Sequence, residues 1–95
     1  MRSMRGPHLK ISDQVSWSPQ GEELVLMDMV TGAYYSLNRL GSTIWRLLSE
    51  EKSRTDIVAT LHDNYDVDKV TAAIEVQQFL DKLARAGLLT AQVDL

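Results

Sequence analysis

Apolar and polar positions alternate through the first forty residues in a way that predicts short β-strands. Three segments are candidate strands in chain order: residues 11–17, residues 23–28, which are apolar almost throughout and so suited to cover on both faces, and residues 33–37. In the third segment, Ala33, Tyr35 and Leu37 share one face, while Tyr34 and Ser36 share the other. Turn sequences containing proline and glycine separate the segments, so we expect an antiparallel meander.

From residue 38 onward the apolar spacing lengthens to that of an α-helix, which predicts three helices. Each has a candidate N-cap: Asn38 for the first, Ser53 or Thr55 for the second, and Asp66 or Asp68 for the third. The third helix is long and runs to residue 86, where Gly87 stops it. An apolar segment over residues 88–93 is suited to a further short strand. Strands followed by helices make an α+β fold that resembles a winged helix-turn-helix.

The third helix carries two apolar features on a helical wheel. Its core stripe consists of Ala72, Val76, Phe79, Leu80 and Leu83. Val70 and Ile74 lie off this stripe, on a face shared with Gln77 and Asp81. They are either covered by the second helix or the N-terminal segment, or they form a second, partly exposed apolar strip.

Composition and charge narrow the class of protein. With 95 residues, 44% of them hydrophobic, the chain can bury the core of one domain, which we expect over residues 11–95. Residues 1–10 read as a flexible basic tail with three cationic side chains. The other 85 residues hold 7 basic and 13 acidic side chains, and such a body binds nucleic acid poorly. No apolar run approaches the roughly 20 residues that span a membrane, and cysteine is absent, so we expect a cytoplasmic protein with no membrane partner.

The sequence contains no catalytic or metal-binding motif that we can identify. His8 and His62 lie far apart, and no motif of the zinc-protease type is present. Asp63, Asp66 and Asp68 lack the central glycine and closing glutamate of a calcium loop. Glycine-rich phosphate loops and activated serines are also missing. We therefore expect a non-enzyme with no catalytic residue, metal or cofactor.

Two binding modes suit such a chain. The third helix could enter the DNA major groove, but acidic residues on and beside it offset Lys69, Lys82 and Arg85. The other mode adds an extended peptide to the edge of the strand over residues 33–37, which has no charge or proline to prevent pairing. One of its two tyrosines is expected to be core. Val70 and Ile74 are candidates for the floor of a neighbouring groove.

Residues 26–48, LMDMVTGAYYSLNRLGSTIWRLL, resemble the PqqD-like family. The matching positions are Asp28, Thr31, Gly32, Tyr35, Leu37, Asn38, Gly41, Ile44 and Trp45. Downstream, TDIVATLHDNYDVD and a long helix ending in RAGLL extend the resemblance to about residues 9–91.

The resemblance implies a three-strand, three-helix domain that binds the leader segment of a ribosomally made precursor peptide. In the family the leader adds to the third strand and packs against the third helix. The implied peptide-binding residues are Ala33, Tyr34, Tyr35, Ser36, Leu37, Asn38, Val70, Ile74 and Gln77.

Within the family the chain looks most like the stand-alone B1-type proteins of lasso-peptide biosynthesis. Their partners are a B2-type leader protease and a cyclase, which would supply the chemistry. The alternatives are a PqqD-type peptide chaperone for a radical-SAM enzyme and, in a different class, a winged-helix DNA-binding regulator. For the peptide site, we expect Ile74→Glu to weaken binding, and Tyr35→Pro to do so provided that the Tyr35 amide faces the peptide.

Overall fold

The computed structural model describes residues 7–93, except for the side chains of residues 7, 8 and 91–93. The elements follow in the order β1 (Pro7–Ile11), β2 (Val15–Gln20), β3 (Glu23–Asp28), β4 (Tyr34–Leu37), α1 (Arg39–Ser49), α2 (Arg54–Asn64), α3 (Lys69–Arg85) and β5 (Leu89–Val93). Strands β2, β3 and β4 form an antiparallel sheet in that order. The predicted α+β fold, three antiparallel strands followed by three helices, is confirmed, and the third predicted strand is β4.

A second sheet is the main difference from the prediction. Residues 7–10, expected to be part of an irregular tail, belong to β1, which pairs antiparallel with β5. The side chain of Ser12 extends this junction, because its hydroxyl donates to the Gly87 carbonyl at 2.8 Å. The apolar segment at residues 88–93 predicted β5. Its pairing with β1 was not predicted, because the two strands lie at opposite ends of the sequence. Residues 1–6 of the expected tail lie outside the described residues.

All three helices begin at predicted caps. The capping residues are Asn38, Ser53 and Asp68. At the start of α3 the Thr71 amide donates to Asp68 Oδ1 at 2.7 Å, and this bond holds the pKa of Asp68 below its usual value. Gly87 has a φ of +79°, so the chain leaves α3 through the left-handed conformation that favours glycine.

Helix α1 supplies the centre of the core. Trp45 is completely buried and meets Trp17 of β2 edge to face, with ring centroids 5.5 Å apart. The core residues of α3 are Ala72, Val76, Leu80 and Leu83, as the predicted stripe requires. Phe79, the fifth member of that stripe, is only partly buried. One edge of the stripe therefore reaches the surface.

One buried hydroxyl ties α1 to the sheet. Ser42 Oγ accepts the Leu24 amide at 2.9 Å and donates to the Leu37 carbonyl at 3.2 Å. Leu24 and Leu37 are partners in the β3–β4 register. The hydroxyl therefore bridges the last pair of the ladder and fixes the end of β4 against α1.

Replacing Ser42 with alanine should lower the free energy of unfolding by about 2 kcal/mol, because it leaves a buried amide and a buried carbonyl without their partner. Urea unfolding followed by circular dichroism measures this change. As a control, Ser18→Ala on exposed β2 should stay within about 0.5 kcal/mol of the wild type. A Ser42→Ala variant as stable as Ser18→Ala would show that the bridge contributes nothing.

The turn between β3 and β4 is organised by Asp28. Its carboxylate is buried and accepts the amides of Val30 and Thr31, at 2.9 and 3.3 Å. Gln14 donates a longer hydrogen bond to it from the chain segment before β2. The bond from Val30 is the main reason that the pKa of Asp28 lies below its usual value.

Because the folded state lowers the pKa of Asp28, its ionised form stabilises the fold above the unfolded pKa of about 3.9. That stability is lost as the pH falls through the lower, folded value. We expect Asp28→Asn to be less stable than the wild type at pH 7, and the difference to shrink below about pH 4. Thermal unfolding across this range measures it, with exposed Asp63→Asn as the control. A difference that stays constant with pH would contradict this role of the carboxylate.

Candidate peptide-binding site

Strand β4 has one open edge, and the register identifies the backbone groups on it. The Asp28 amide donates to the Ala33 carbonyl at 2.9 Å, so Ala33 faces β3. Backbone groups alternate in direction along an antiparallel strand, so Tyr35 and Leu37 also face β3. The amides and carbonyls of Tyr34 and Ser36 therefore point away from the sheet, toward the open edge.

This geometry changes the expected effect of proline at position 35. The Tyr35 amide faces β3 and not the peptide, so Tyr35→Pro removes a hydrogen bond of the sheet itself and does not test peptide binding.

The side chains of Tyr34 and Tyr35 differ in exposure. Tyr34 is 70% exposed on the outer face, whereas Tyr35 is partly buried and packs against the core. Neither tyrosine is a fully buried core residue; Tyr35 is the more buried of the two.

The opposite edge of the sheet, on β2, is less suited to strand addition. By the same alternation, the backbone groups of Val15, Trp17 and Pro19 face outward there. Pro19 has no amide to donate, and the Val15 amide already donates to the Ser12 carbonyl at 3.2 Å. A cavity of about 670 Å³ lies beside this edge, with a mixed charged and apolar lining. Of the two edges, β4 offers the more complete set of free backbone groups.

A groove runs between the open edge of β4 and the C-terminal half of α3. Its volume is about 420 Å³, and it is called the β4–α3 groove below. The lining residues are Tyr35, Ser36, Leu37, Asn38, Phe79, Lys82, Leu83, Ala86 and Leu88. Most are apolar, and Lys82 is the one charged side chain among them. The groove thus combines free backbone groups on one wall with an apolar floor.

Phe79 forms one end of the groove because α1 leaves space for its ring. A β-carbon at Gly41 would lie 3.1 Å from Phe79 Cε1, closer than ordinary packing allows. Phe79 and Lys82 also line a second cavity of about 210 Å³, which continues past Asn38 toward Glu75. The missing side chain at Gly41 therefore sets the position of the Phe79 ring between the two cavities.

The predicted site residues divide into two groups. Residues 35–38 line the groove, and Tyr34 provides free backbone groups beside it. Ala33 faces β3 and does not line the groove. Asn38 also caps α1 by accepting the Gly41 amide at 2.8 Å.

Val70, Ile74 and Gln77 do not line the groove. They occupy a face of α3 rotated by about 140° from Phe79 and Lys82. Val70 and Ile74 are 70% and 53% exposed, so the partly exposed strip predicted from the helical wheel is present. This strip does not face β4, because β4 packs beside Phe79 and Lys82, on another side of α3. A helical wheel carries no information about where β4 lies. Sequence reasoning placed Phe79 in the core and missed Lys82, although both lie at the polar edge of that stripe.

The described part of the chain holds no cluster of three His, Asp or Glu side chains arranged to bind a metal ion. Nor does any helix within it have the length and apolar character needed to cross a membrane. The arrangement at β4 can pair with an extended backbone and cover apolar side chains.

Comparisons with known proteins identify relatives of this fold. A search of curated protein sequences finds no match. Among solved structures, TbiB1 in complex with the TbiA(β) leader peptide is 39% identical, with a TM-score of 0.85 over 90% of this chain and 99% of that one. A lasso peptide synthetase B1 complexed with its leader peptide shares the fold at 22% identity, with a TM-score of 0.82 over 87% and 98% of the two chains. The sequence model of the family described as Coenzyme PQQ synthesis protein D matches residues 23–89. The chain belongs to the PqqD family.

Proposed function

We propose that this protein binds the leader segment of a ribosomally synthesised lasso-peptide precursor by strand addition to β4. The open edge of β4 beside an apolar groove carries the proposal. The 39%-identical TbiB1 supports it, since that protein was solved with a leader peptide bound. Backbone bonds to Tyr34 and Ser36 supply affinity, and the groove supplies specificity for side chains.

In this role the protein performs no chemistry itself. It holds the precursor for a B2-type leader protease and a cyclase in the cytoplasm, and it raises the local concentration of the precursor at those enzymes. The family match also favours a second candidate, a PqqD-type chaperone that presents its peptide to a radical-SAM enzyme. Both roles use the same β4 edge and differ in the peptide and the enzyme that receives it.

A fluorescence-anisotropy titration tests the proposal directly. We expect the labelled TbiA(β) leader peptide to bind saturably with a Kd of ~0.01–1 μM, because the ordering entropy of a free peptide limits affinity at an edge-strand site. A scrambled leader and a random DNA duplex are the controls. Binding of the duplex alone would favour the DNA-regulator class, which the acidic body of the chain argues against.

Proline at position 36 should weaken leader binding about tenfold or more, because it removes an amide that faces the incoming strand. The fold should be retained, since β3 does not use that amide. Ser36→Ala is the matched control and should bind as the wild type does, because it keeps the amide. A folded Ser36→Pro variant with unchanged affinity would exclude strand addition at β4.

Two variants of α3 distinguish the groove from the exposed strip. Phe79→Ala should weaken leader binding about tenfold, because it removes the ring that closes one end of the groove. Ile74→Glu was expected from the sequence to weaken binding, but Ile74 lies outside the groove, so we now expect unchanged affinity. Thermal unfolding of both variants confirms that they are folded. The opposite pattern of affinities would move the site to the face that carries Val70, Ile74 and Gln77.

A further inference from the structure

The charge in the β4–α3 groove is concentrated at one point. Lys82 is its one charged lining residue, and it is exposed among apolar neighbours that include Phe79 and Leu83. Within the described part of the chain, the ion pairs involve other cations, namely Lys10 with Asp13 and Arg39 with Glu22. The Lys82 ammonium is therefore available to a ligand lying in the groove.

The position of Lys82 along the groove is defined by the second cavity. Lys82, Phe79 and Asn38 line both cavities, whereas Ala86 and Leu88 line only the groove. Lys82 therefore stands at the Asn38 end, and the opposite end, near Tyr35, is apolar. Glu75 lies in the second cavity, beyond Lys82. Glu75 would repel acidic residues placed beyond Lys82, so this end of the groove suits one anionic group beside Lys82 better than a run of acidic residues.

Strand geometry sets the spacing of the side chains that enter the groove. In a strand added to β4, the residues opposite Tyr35 and Leu37 point to the inner face, as Tyr35 and Leu37 themselves do. Those two ligand residues are two positions apart. One meets the apolar end of the groove, and the other reaches the end where Lys82 stands.

Building on the proposed leader binding, we propose that this protein selects peptides with an apolar residue and an acidic residue at positions i and i+2, in either order. The apolar side chain packs against the half-buried Tyr35 and Ala86, and the carboxylate accepts a charge-assisted hydrogen bond from Lys82. The order of the two residues is set by whether the strand adds parallel or antiparallel.

Selection from a displayed library of random peptides of about 12 residues tests this without a known precursor. The library is counter-selected on Ser36→Pro, which removes peptides that bind elsewhere. We expect the wild type to enrich peptides with an apolar and an acidic residue two positions apart. Lys82→Glu should instead enrich lysine or arginine at the acidic position. Arg85→Glu is the matched control, because it makes the same charge change near the same helix end without lining the groove, and it should keep the acidic preference.

Anisotropy titrations of one enriched peptide supply the quantitative test. Lys82→Met should weaken its binding about fivefold, with a smaller effect at high salt, because the ion pair is partly exposed. Enriched peptides with no acidic preference, or with the same preference on Lys82→Glu, would overturn the inference and leave leader binding intact. If every peptide that the wild type enriches also binds Ser36→Pro, strand addition at β4 is overturned, and this inference with it.

Discussion

The bridge made by the Ser42 hydroxyl determines how β4 is presented. This strand is four residues long and has β3 as its one neighbour in the sheet, so its end needs a further attachment. Ser42 supplies it by joining Leu24 of β3 to Leu37 of β4 from the first turn of α1. The same turn contains Gly41, whose missing side chain leaves room for Phe79. One turn of helix thus fixes both the strand edge and one end of the groove beside it.

The two edges of the sheet differ because of a few backbone details. On β2, Pro19 occupies an outward-facing position and has no amide, and the outward-facing Val15 amide already donates to the Ser12 carbonyl. On β4 the outward positions belong to Tyr34 and Ser36, which keep their amides. An unprotected strand edge promotes unwanted association, so proteins usually block it. The open β4 edge beside an apolar groove is the feature on which the proposal of strand addition rests.

Binding of this kind requires few special residues. In the proposed mode, affinity comes from backbone groups that every residue possesses, and selectivity comes from the shape of the groove and the charge of Lys82. A domain that binds a peptide and leaves its modification to other proteins acts by increasing effective concentration. Its output therefore depends on how long and in which orientation the peptide is held.

Local patterns in the sequence determined most of the fold. The apolar run at residues 23–28 and the alternation at residues 33–37 specified the central strands, and Asn38, Ser53 and Asp68 specified the helix starts, because capping and strand patterns act between near neighbours. The pairing of β1 with β5 was decided by tertiary structure, since it joins the two ends of the chain. Tertiary structure also decided which face of α3 forms the wall of the groove beside β4. A helical wheel correctly separates the apolar faces of α3, but it does not show that β4 packs beside Phe79 and Lys82 rather than beside Val70 and Ile74.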